Sequence, residues 1–467
     1  MRRKLPLLLA LASLIFTGAG CTQLLTPTAS APPAVTLQYW RTEDSPAALA
    51  DVITAYQKLH PNVTINVTQM GDTDYERNLL EAFAEGRGPD LFSLPVTSLR
   101  AWQNKLAPLP SQTVLPAQQV DKNKKVVWAT VKTPAISIRE MKDNYVEGVT
   151  QDVIWPYSEK TGTPATDRIW AMVYSMDNLA LFYNSELFRK ANIPKPPTSW
   201  GDFQQAAAKM TVLDKDGNIV ESGAAIGEGP NIKYATELLS LIMGQNGTDL
   251  DATPPTLNAY SAKSVGHPQP PTVEALGFYQ SFVNPGSTAY VWNATMPNSL
   301  DAFIQGRTAM FFGLPHDRDL IRARSPKLDF GIAPVPQIDF NDQFNEADFP
   351  VEVVARSTKH INEAWDFLQF AARAENVTKF LEATKRPAAL RSLLDAQITD
   401  PDIGAFSSQV LTSRSWYRGQ DYSKVQQAFL QMIAWRPTAQ DMEAIRIVSD
   451  VAQTVSASYV APNYNNN

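Results

Sequence analysis

The sequence contains very few cysteine and histidine residues, which restricts the disulfides and metal sites that it can form. Its 467 residues include one cysteine and four histidines. A single cysteine excludes a disulfide framework and any zinc site built from several cysteines. Because no two histidines have the spacing of metal ligands, we expect neither a metal nor another cofactor.

Basic charge is also scarce. The chain has 41 Lys and Arg against 47 Asp and Glu, a formal net charge of -6. Its dense basic runs are Arg2–Lys4 and Lys122–Lys125. Nucleic-acid-binding domains usually carry a basic face, so we expect no nucleic-acid partner.

The common catalytic motifs are missing as well. The chain has no G-x-x-x-x-G-K-[ST], G-x-S-x-G or H-E-x-x-H pattern, and no G-x-G-x-x-G follows a strand. Carboxylates are plentiful, but a glycosidase needs two of them at a set separation, which a sequence does not supply. We therefore predict a protein that is not an enzyme.

The first residues predict export. Arg2–Lys4 give a positive start, and Leu5–Phe16 form an apolar stretch that is too short to span a bilayer but suits a secretion signal. Cys21 allows two interpretations. It is either a chance cysteine beside an ordinary cleavage site or the lipidated first residue after a lipoprotein signal over 1–20. The second interpretation is our prediction, although Gly18 stands where such signals usually have Leu.

The residues after Cys21 predict a flexible tether. Residues 21–34 are rich in Thr, Ala and Pro and have no apolar period, which is typical of a linker between an anchor and a folded body. We expect the body outside the cytoplasm, held by lipid at the outer face of the cell membrane, or in the periplasm.

The residues beyond the tether alternate between strand and helix patterns. Apolar periodicity predicts strands near 35–39, 63–67 and 91–94, and helices over 46–59 and 73–85. This order implies right-handed crossovers and a mainly parallel sheet. Ligands of such sheets bind beyond the carboxyl ends of the strands, which indicates residues 40–44 and 93–98.

Several fragments then occur in the order found in one known family. They are LQYWRTED, AYQKLHPNVTINV, AEGRGPDLFSL, DRIWAMVYSMDNLALFYNSELFRKANIPKPPTSWGDF, AFIQGRTAMFFGLPHDRD and DFGIAPVPQ. With them, nearly all of the mature chain resembles bacterial extracellular solute-binding proteins of the maltose-binding-protein type, which serve ABC importers of sugars. Two departures are Val173, where the family often has Pro, and the segment 111–168, which is longer and less typical.

The resemblance implies an α/β fold of the two-lobed periplasmic-binding-protein type (type II). Each lobe would be a mainly parallel sheet flanked by helices, and crossing hinge strands would join the lobes. We expect an N-terminal lobe of residues 35–175 and 350–395 and a C-terminal lobe of 176–349 and 396–467. The crossings are expected near Tyr174–Leu181, Asp348–Arg356 and 390–410.

The chemistry of sugars indicates which side chains could contact the ligand. Sugars present apolar C–H faces and many hydroxyls, which suit aromatic rings and carboxylates. Strand ends predict some positions and the resemblance implies the others. The candidate ligand-binding residues are Trp40, Glu43, Asp44, Ser93, Pro95, Tyr174, Asp177, Gly313, His316 and Trp416.

Alternative roles remain open for several candidates. Trp40 and Trp416 could be core residues, Asp44 could cap a helix, and Asp177 could form a salt bridge at the hinge. His316 stands where relatives often have a Trp that stacks on sugar, which weakens the case for a maltodextrin ligand.

The predicted function is capture of a carbohydrate by an extracytoplasmic lipoprotein that closes its lobes on the ligand. We expect a monomer that delivers the ligand to the permease of an ABC importer. Two alternatives remain. A secreted carbohydrate-active enzyme would need two carboxylates across the cleft, and a sensory lipoprotein would use the same closure to signal to a membrane receptor.

Overall fold

The structure is a computed structural model that describes residues 27–28, 31–42, 44–71, 73–120, 124–158, 163–259, 267–436 and 441–460. The predictions for residues 1–20, Cys21 and Glu43 lie outside the described residues. In the part of the chain that is described, no helix combines the length and the hydropathy needed to cross a bilayer.

The described residues form sixteen strands and sixteen α-helices. The strands are β1 Pro27–Thr28, β2 Val35–Arg41, β3 Val63–Gln69, β4 Leu91–Pro95, β5 Gln112–Val120, β6 Val126–Pro134, β7 Ile154–Tyr157, β8 Thr166–Ile169, β9 Ala180–Asn184, β10 Val212–Leu213, β11 Ile219–Glu221, β12 Met310–Gly313, β13 Phe330–Ala333, β14 Asn345–Glu346, β15 Pro350–Val354 and β16 Ser413–Arg414. The helices are α1 Ala50–Leu59, α2 Tyr75–Ala84, α3 Ile138–Asn144, α4 Glu147–Val153, α5 Ser185–Lys190, α6 Trp200–Met210, α7 Ala235–Gln245, α8 Pro271–Ser281, α9 Ser299–Ile304, α10 Pro315–Arg324, α11 Ile361–Ala371, α12 Ala374–Thr384, α13 Arg391–Gln397, α14 Gly404–Ser407, α15 Tyr422–Ala434 and α16 Asp441–Ser458.

The N-terminal elements form a four-stranded sheet in the order β15-β4-β2-β3. Strand β2 runs parallel to both β3 and β4, as the alternation of strands and helices predicts. Along β2 every second side chain is buried, because one face of the strand packs on the core. Strand β15 enters from the other direction and is antiparallel to β4, with Pro350 opposite Pro95.

The sheet of the C-terminal part differs from the prediction. Its order is β12-β9-β13, and β9 is antiparallel to both neighbours. The expectation of a mainly parallel sheet in each lobe is therefore wrong for this sheet. Strand β9 runs away from the crossing region, whereas β12 and β13 run back towards it, so both pair with β9 in the antiparallel direction. Gly313 at the end of β12 therefore lies opposite Ala180 at the start of β9.

Two large apolar cores support these sheets. The first core extends from Val35 to Met176 and from Ala347 to Leu394, with Val410 added. The second core lies within residues 179–455 and includes Trp200 and Trp292. A smaller third cluster consists of Ala180, Phe182, Leu300, Phe303, Phe311, Ile321 and Phe406. The predicted lobe boundaries remain predictions.

Four chain segments run side by side where the two cores meet. Met172 bridges to Glu352, and Ser175 bridges to Ala388. Asn178 bridges to Ala347, and β14 pairs in parallel with β16. These contacts place the N-terminal ends of β9 and β15 at the junction of the cores.

The long segment 111–168 adds two hairpins and two short helices to the first core. Strands β5 and β6 pair over nine residues each, and β5 packs on α11. The Thr113 hydroxyl donates to Asp366 at 3.0 Å. The second hairpin joins β7 to β8, and Trp155 stacks on Trp170 with 4.7 Å between ring centroids.

Candidate functional site

A cavity of about 340 Å³ opens where strand ends from both cores meet. Thr42 after β2 and Pro95 at the end of β4 line it from the first core, and Leu314 after β12 lines it from the second. Asp348 and Phe349, which lead into β15, lie between them. The predicted position beyond the carboxyl ends of the strands therefore coincides with a cavity, which we call the cleft cavity.

The first turn of α2 forms one wall of the cleft cavity. Its Tyr75 hydroxyl donates to the carbonyl oxygen of Trp40 at 3.2 Å. The Glu76 carboxylate accepts from the Ser98 hydroxyl at 2.6 Å and from the Trp102 ring N–H at 2.8 Å. These bonds hold α2 against the strand ends and leave Tyr75 at the wall.

The wall from the second core begins at the tight turn between β12 and α10. An added Cβ at Gly313 would lie 2.6 Å from the Phe311 ring, so close packing requires glycine there. Asp317 accepts from the backbone N–H of Leu314 at 3.0 Å and from the Tyr234 hydroxyl at 2.8 Å. His316 is partly exposed beside them, with its Nε2 3.2 Å from the Tyr234 hydroxyl.

A buried ion-pair network lies behind the first-core wall. The Arg386 guanidinium donates to Asp44 at 3.1 Å and also to Asp177. Arg41 donates to Glu352 at 2.9 Å and lies 3.4 Å from Asp44. Although burial opposes its charged form, the Glu352 carboxylate raises the pKa of Arg41 above its usual range. These five side chains are at most 9% exposed, so each charge depends on its partners.

This network contains several predicted ligand-binding residues. Asp44 does not cap the helix, since the Ser45 side chain accepts from the backbone of the first turn. Ser93 is buried, accepts from Arg41 at 3.2 Å and donates to Glu352 at 2.7 Å. Asp177 is buried against Arg386, and the ring of buried Tyr174 packs on Phe380. The structure thus places these four side chains in internal contacts and not along the cleft cavity.

The two predicted aromatic platforms lie in different surroundings. Trp40 is partly exposed, packs against the first core and has its carbonyl bound to the cavity residue Tyr75. Trp416 is only 1% exposed and packs against Phe429 at 5.2 Å between ring centroids. The structure therefore places Trp416 in the second core, because its indole fills the space beside α15.

The structure brings a subset of the predicted residues to the cleft cavity. Pro95 lines it, and Gly313 directly precedes the lining residue Leu314. The sequence indicated the stretch 40–44 without naming Thr42 as a ligand-binding residue, and sequence reasoning missed Tyr75 and Phe349. The predicted helix over 73–85 contained a usable signal for Tyr75, because its first turn follows the carboxyl end of the second predicted strand.

A group of buried acidic residues lies near Asp348. Burial, and then the charges of Glu237 and Asp348, raise the pKa of Glu346 well above its usual range. Burial also raises the pKa of Glu237, which accepts from the Tyr422 hydroxyl at 3.0 Å. Among the described side chains, no group of three His, Cys, Asp or Glu is arranged to hold a metal ion.

Comparison with known proteins identifies one family and many solved structures that share the fold of this chain. A family model described as bacterial extracellular solute-binding protein matches residues 51–405. The chain is also 25% identical, over 257 residues, to a putative binding protein of Brucella abortus. This alignment covers 50% of this chain and 54% of the relative. The chain thus matches about half the length of the curated relatives.

Solved structures resemble the chain over most of its length. An ABC substrate-binding protein of Listeria monocytogenes in complex with cycloalternan has a TM-score of 0.63, with 17% identity over 91% of this chain and 98% of the other. A cyclic alpha-maltosyl-1,6-maltose binding protein of Arthrobacter globiformis has a TM-score of 0.66, with 16% identity over 91% and 99%. At these identities the likeness establishes the two-lobed fold with sheets flanked by helices.

The first prediction concerns Arg386. Replacement by Met removes the Arg386 cation from buried Asp177 and leaves Asp44 with Arg41 alone, so we expect a loss of about 3–5 kcal/mol in the free energy of unfolding, measured with urea. Adding Asp44→Asn and Asp177→Asn to this variant should restore much of the lost free energy of unfolding. Arg77→Met, which breaks an exposed pair with Asp74, is the control and should cost about 1 kcal/mol or less. Equal losses in both single variants would contradict this role of Arg386.

The second prediction concerns pH. Because the pKa of Glu346 is raised in the folded state, its contribution to stability is complete below the pKa of the unfolded chain and is lost as pH rises through the folded value. Glu346→Gln stays neutral, so its Tm should rise relative to the parent chain as pH increases above about 4.5. Thermal melts from pH 4 to 8 measure this, with Glu382→Gln on an exposed helix face as the control. A difference in Tm that does not change with pH would contradict it.

Proposed function

Because the chain belongs to the bacterial extracellular solute-binding protein family, we propose that it captures a carbohydrate in the cleft cavity and delivers it to an ABC importer. Membership of an extracellular family places the protein outside the cytoplasm. The solved relatives are binding proteins, and we propose that this chain likewise releases its ligand unchanged.

The observation that carries this proposal is the composition of the cleft cavity. Its wall joins two separately packed cores, with Pro95 on one side and Leu314 on the other. A cavity of about 340 Å³ is within the usual range for small-molecule sites. Apolar side chains on both walls, together with Thr42 and four charged side chains, suit a ligand that has C–H faces and hydroxyls.

Individual roles follow from the lining residues. We assign the Tyr75 ring and Pro95 to the apolar face of the sugar, and Trp40 to the position behind Tyr75. The Thr42 hydroxyl and the Asp348 carboxylate can accept hydrogen bonds from sugar hydroxyls, and charged acceptors make the stronger bonds. From the second core, Leu314 and the nearby His316 would complete the contact after closure.

Closure would use the segments that cross between the cores. Hinges are a few residues that absorb changes in backbone dihedral angles while the packed bodies stay rigid. The Arg386 guanidinium links Asp44, just after β2, to the crossing residue Asp177. Strand β2 and the crossing segment up to Asp177 should therefore move as one body. We place the flexible positions in the neighbouring segments 178–179 and 347–349.

The remaining parts of the proposal concern the anchor and the partners. We propose that Cys21 carries lipid, that the body is a monomer, and that a separate permease receives the ligand. A transient contact of this kind requires only a small polar interface.

The third prediction tests ligand binding in residues 22–467. A screen of sugars, polyols, amino acids and peptides should give a Tm rise that is selective for sugars, since a ligand at a hundredfold excess over Kd stabilises the native state by about 2.7 kcal/mol. Thr42→Trp fills the cleft cavity and should abolish the rise. Mass spectrometry should recover the sugar intact, and a hydrolysed sugar would favour an enzyme.

The matched control is Thr64→Trp. Thr64 is exposed on β3 at the end of the sheet opposite the cleft cavity, so the same substitution should leave the sugar-dependent rise unchanged. A rise that persists in Thr42→Trp would exclude this cavity as the site, and a rise with peptides alone would exclude a carbohydrate ligand.

The fourth prediction tests closure. Small-angle scattering of the mature body should give a smaller radius of gyration at saturating sugar, because the two cores approach each other around the ligand. Thr42→Trp should show no decrease at the same sugar concentration. An unchanged radius at saturation of the parent chain, with binding confirmed by calorimetry, would contradict hinge closure.

A further inference from the structure

The acidic residues behind Asp348 form a recess at the edge of the second core. Glu346 on β14 precedes Asp348 by two residues, and alternate residues of an extended segment share one face. Because Asp348 lines the cleft cavity, Glu346 lies behind it on the same face, about 7 Å along the chain. Glu237 of α7 and Tyr422 of α15 are also near, and the Tyr422 hydroxyl donates to Glu237 at 3.0 Å. Together with Thr236, these four side chains are called the acidic recess.

Two polar groups of the acidic recess are buried without an internal partner. Glu346 is 3% exposed, and its Oε2 accepts no hydrogen bond from a described residue. Thr236 is 1% exposed, and its hydroxyl also has no partner among the described residues. Thr236 lies one turn before Ser240 on α7, and the Ser240 hydroxyl acts on Glu346, so both groups face the same space. Buried polar groups normally have a partner, which indicates that a polar group of a ligand reaches this space.

The charges that act on Glu346 have one sign. Burial, and then the carboxylates of Glu237 and Asp348, raise the pKa of Glu346 well above its usual range. Burial likewise raises the pKa of Glu237. The Ser240 hydroxyl favours the charged form of Glu346 but does not outweigh its acidic neighbours. A ligand with a positive charge would therefore be attracted here.

The neighbouring arginines already have carboxylate partners. Arg414 lies opposite Glu346 in the pairing of β14 with β16, and its guanidinium donates to Asp251 at 2.9 Å. Asp152 is the third carboxylate whose charge acts on Glu346, and it accepts from Arg418 at 2.6 Å. Neither arginine forms an ion pair with Glu346, which leaves this carboxylate available to a cation from outside.

We propose that the acidic recess takes a protonated amine, and that the carbohydrate in the cleft cavity is an amino sugar whose ammonium group reaches Glu346. The inference rests on the proposed function and narrows its ligand. An ammonium group has three N–H donors and no acceptor, which suits carboxylate and hydroxyl oxygens. The apolar walls at Pro95 and Leu314 favour a ring with C–H faces over an extended polyamine. On binding, Glu346 releases its proton to the solvent and pairs with the ammonium as a carboxylate.

The fifth prediction compares neutral sugars with their amino analogues, by calorimetry on the full chain purified in detergent. Glucose, galactose and mannose are each paired with the 2-amino sugar at about pH 6, where an amine is protonated. At least one amino sugar should bind about tenfold more tightly than its neutral partner, because hydrogen bonds between charged groups are the stronger ones. Its binding should also release a proton, detected as a heat that depends on the ionisation enthalpy of the buffer.

Two variants locate the amine. Glu346→Gln keeps nearly the same shape without the charge, so the amino and neutral sugars should bind about equally and the proton release should disappear. Unchanged affinity for the neutral sugar shows that this variant is folded with its cavity intact. Glu382→Gln, on an exposed helix face, is the matched control and should keep both the tighter binding and the proton release.

The outcomes separate this inference from the function on which it rests. Neutral sugars that bind as tightly as every amino analogue would overturn the inference and leave carbohydrate capture intact. A chain that binds no neutral or amino sugar of any length would overturn both. A preference for the amino sugar that persists in Glu346→Gln would overturn the role of the acidic recess. A Tm rise with spermidine but with no amino sugar would replace the sugar by a polyamine.

Discussion

The arrangement of the candidate site depends on one buried cation, the Arg386 guanidinium between Asp44 and Asp177. Asp44 follows the first long strand, and Asp177 lies in the segment that leads from the first core to the second. A buried charge without a partner costs several kcal/mol, so these segments must approach each other closely enough to share the arginine. Arg41 and Glu352 extend the same network into the sheet. The end of β2, β15 and the crossing segment are thereby held in one rigid unit.

The cleft cavity follows from this rigid unit and from the directions of the strands. Strands β2 and β4 end at the junction of the cores, β15 begins there, and β12 returns to it. Four strand termini therefore open towards a common space. The carboxylates of the network are already paired with arginines, so the contacts offered to a ligand come from neighbouring residues such as Thr42, Tyr75 and Leu314. Rigid ion pairs behind a partly apolar wall suit the closure and reopening that we propose.

Much of the first sheet could be predicted, because periodicity is a local property. The alternation of Val35, Leu37 and Tyr39 reflects one buried face of a strand. Strand direction in the second sheet could not be predicted from such patterns, since β9, β12 and β13 come together from distant parts of the chain. The residues of the ligand site were harder still to predict from the sequence. A tryptophan in a core and one on a ligand have the same sequence pattern, and Trp416 proved to be buried.

The order of the early elements, the family, and the strand ends at which a ligand site should lie follow from the sequence. Which polar residues face that site, and which are neutralised inside the protein, depends on the packing of distant segments. Arg386 lies 342 positions from Asp44 and 209 from Asp177 in sequence, so no local pattern reveals that they pair. The same carboxylate can bind a sugar hydroxyl or an arginine. Which of the two it does depends on the burial and charge that distant segments supply.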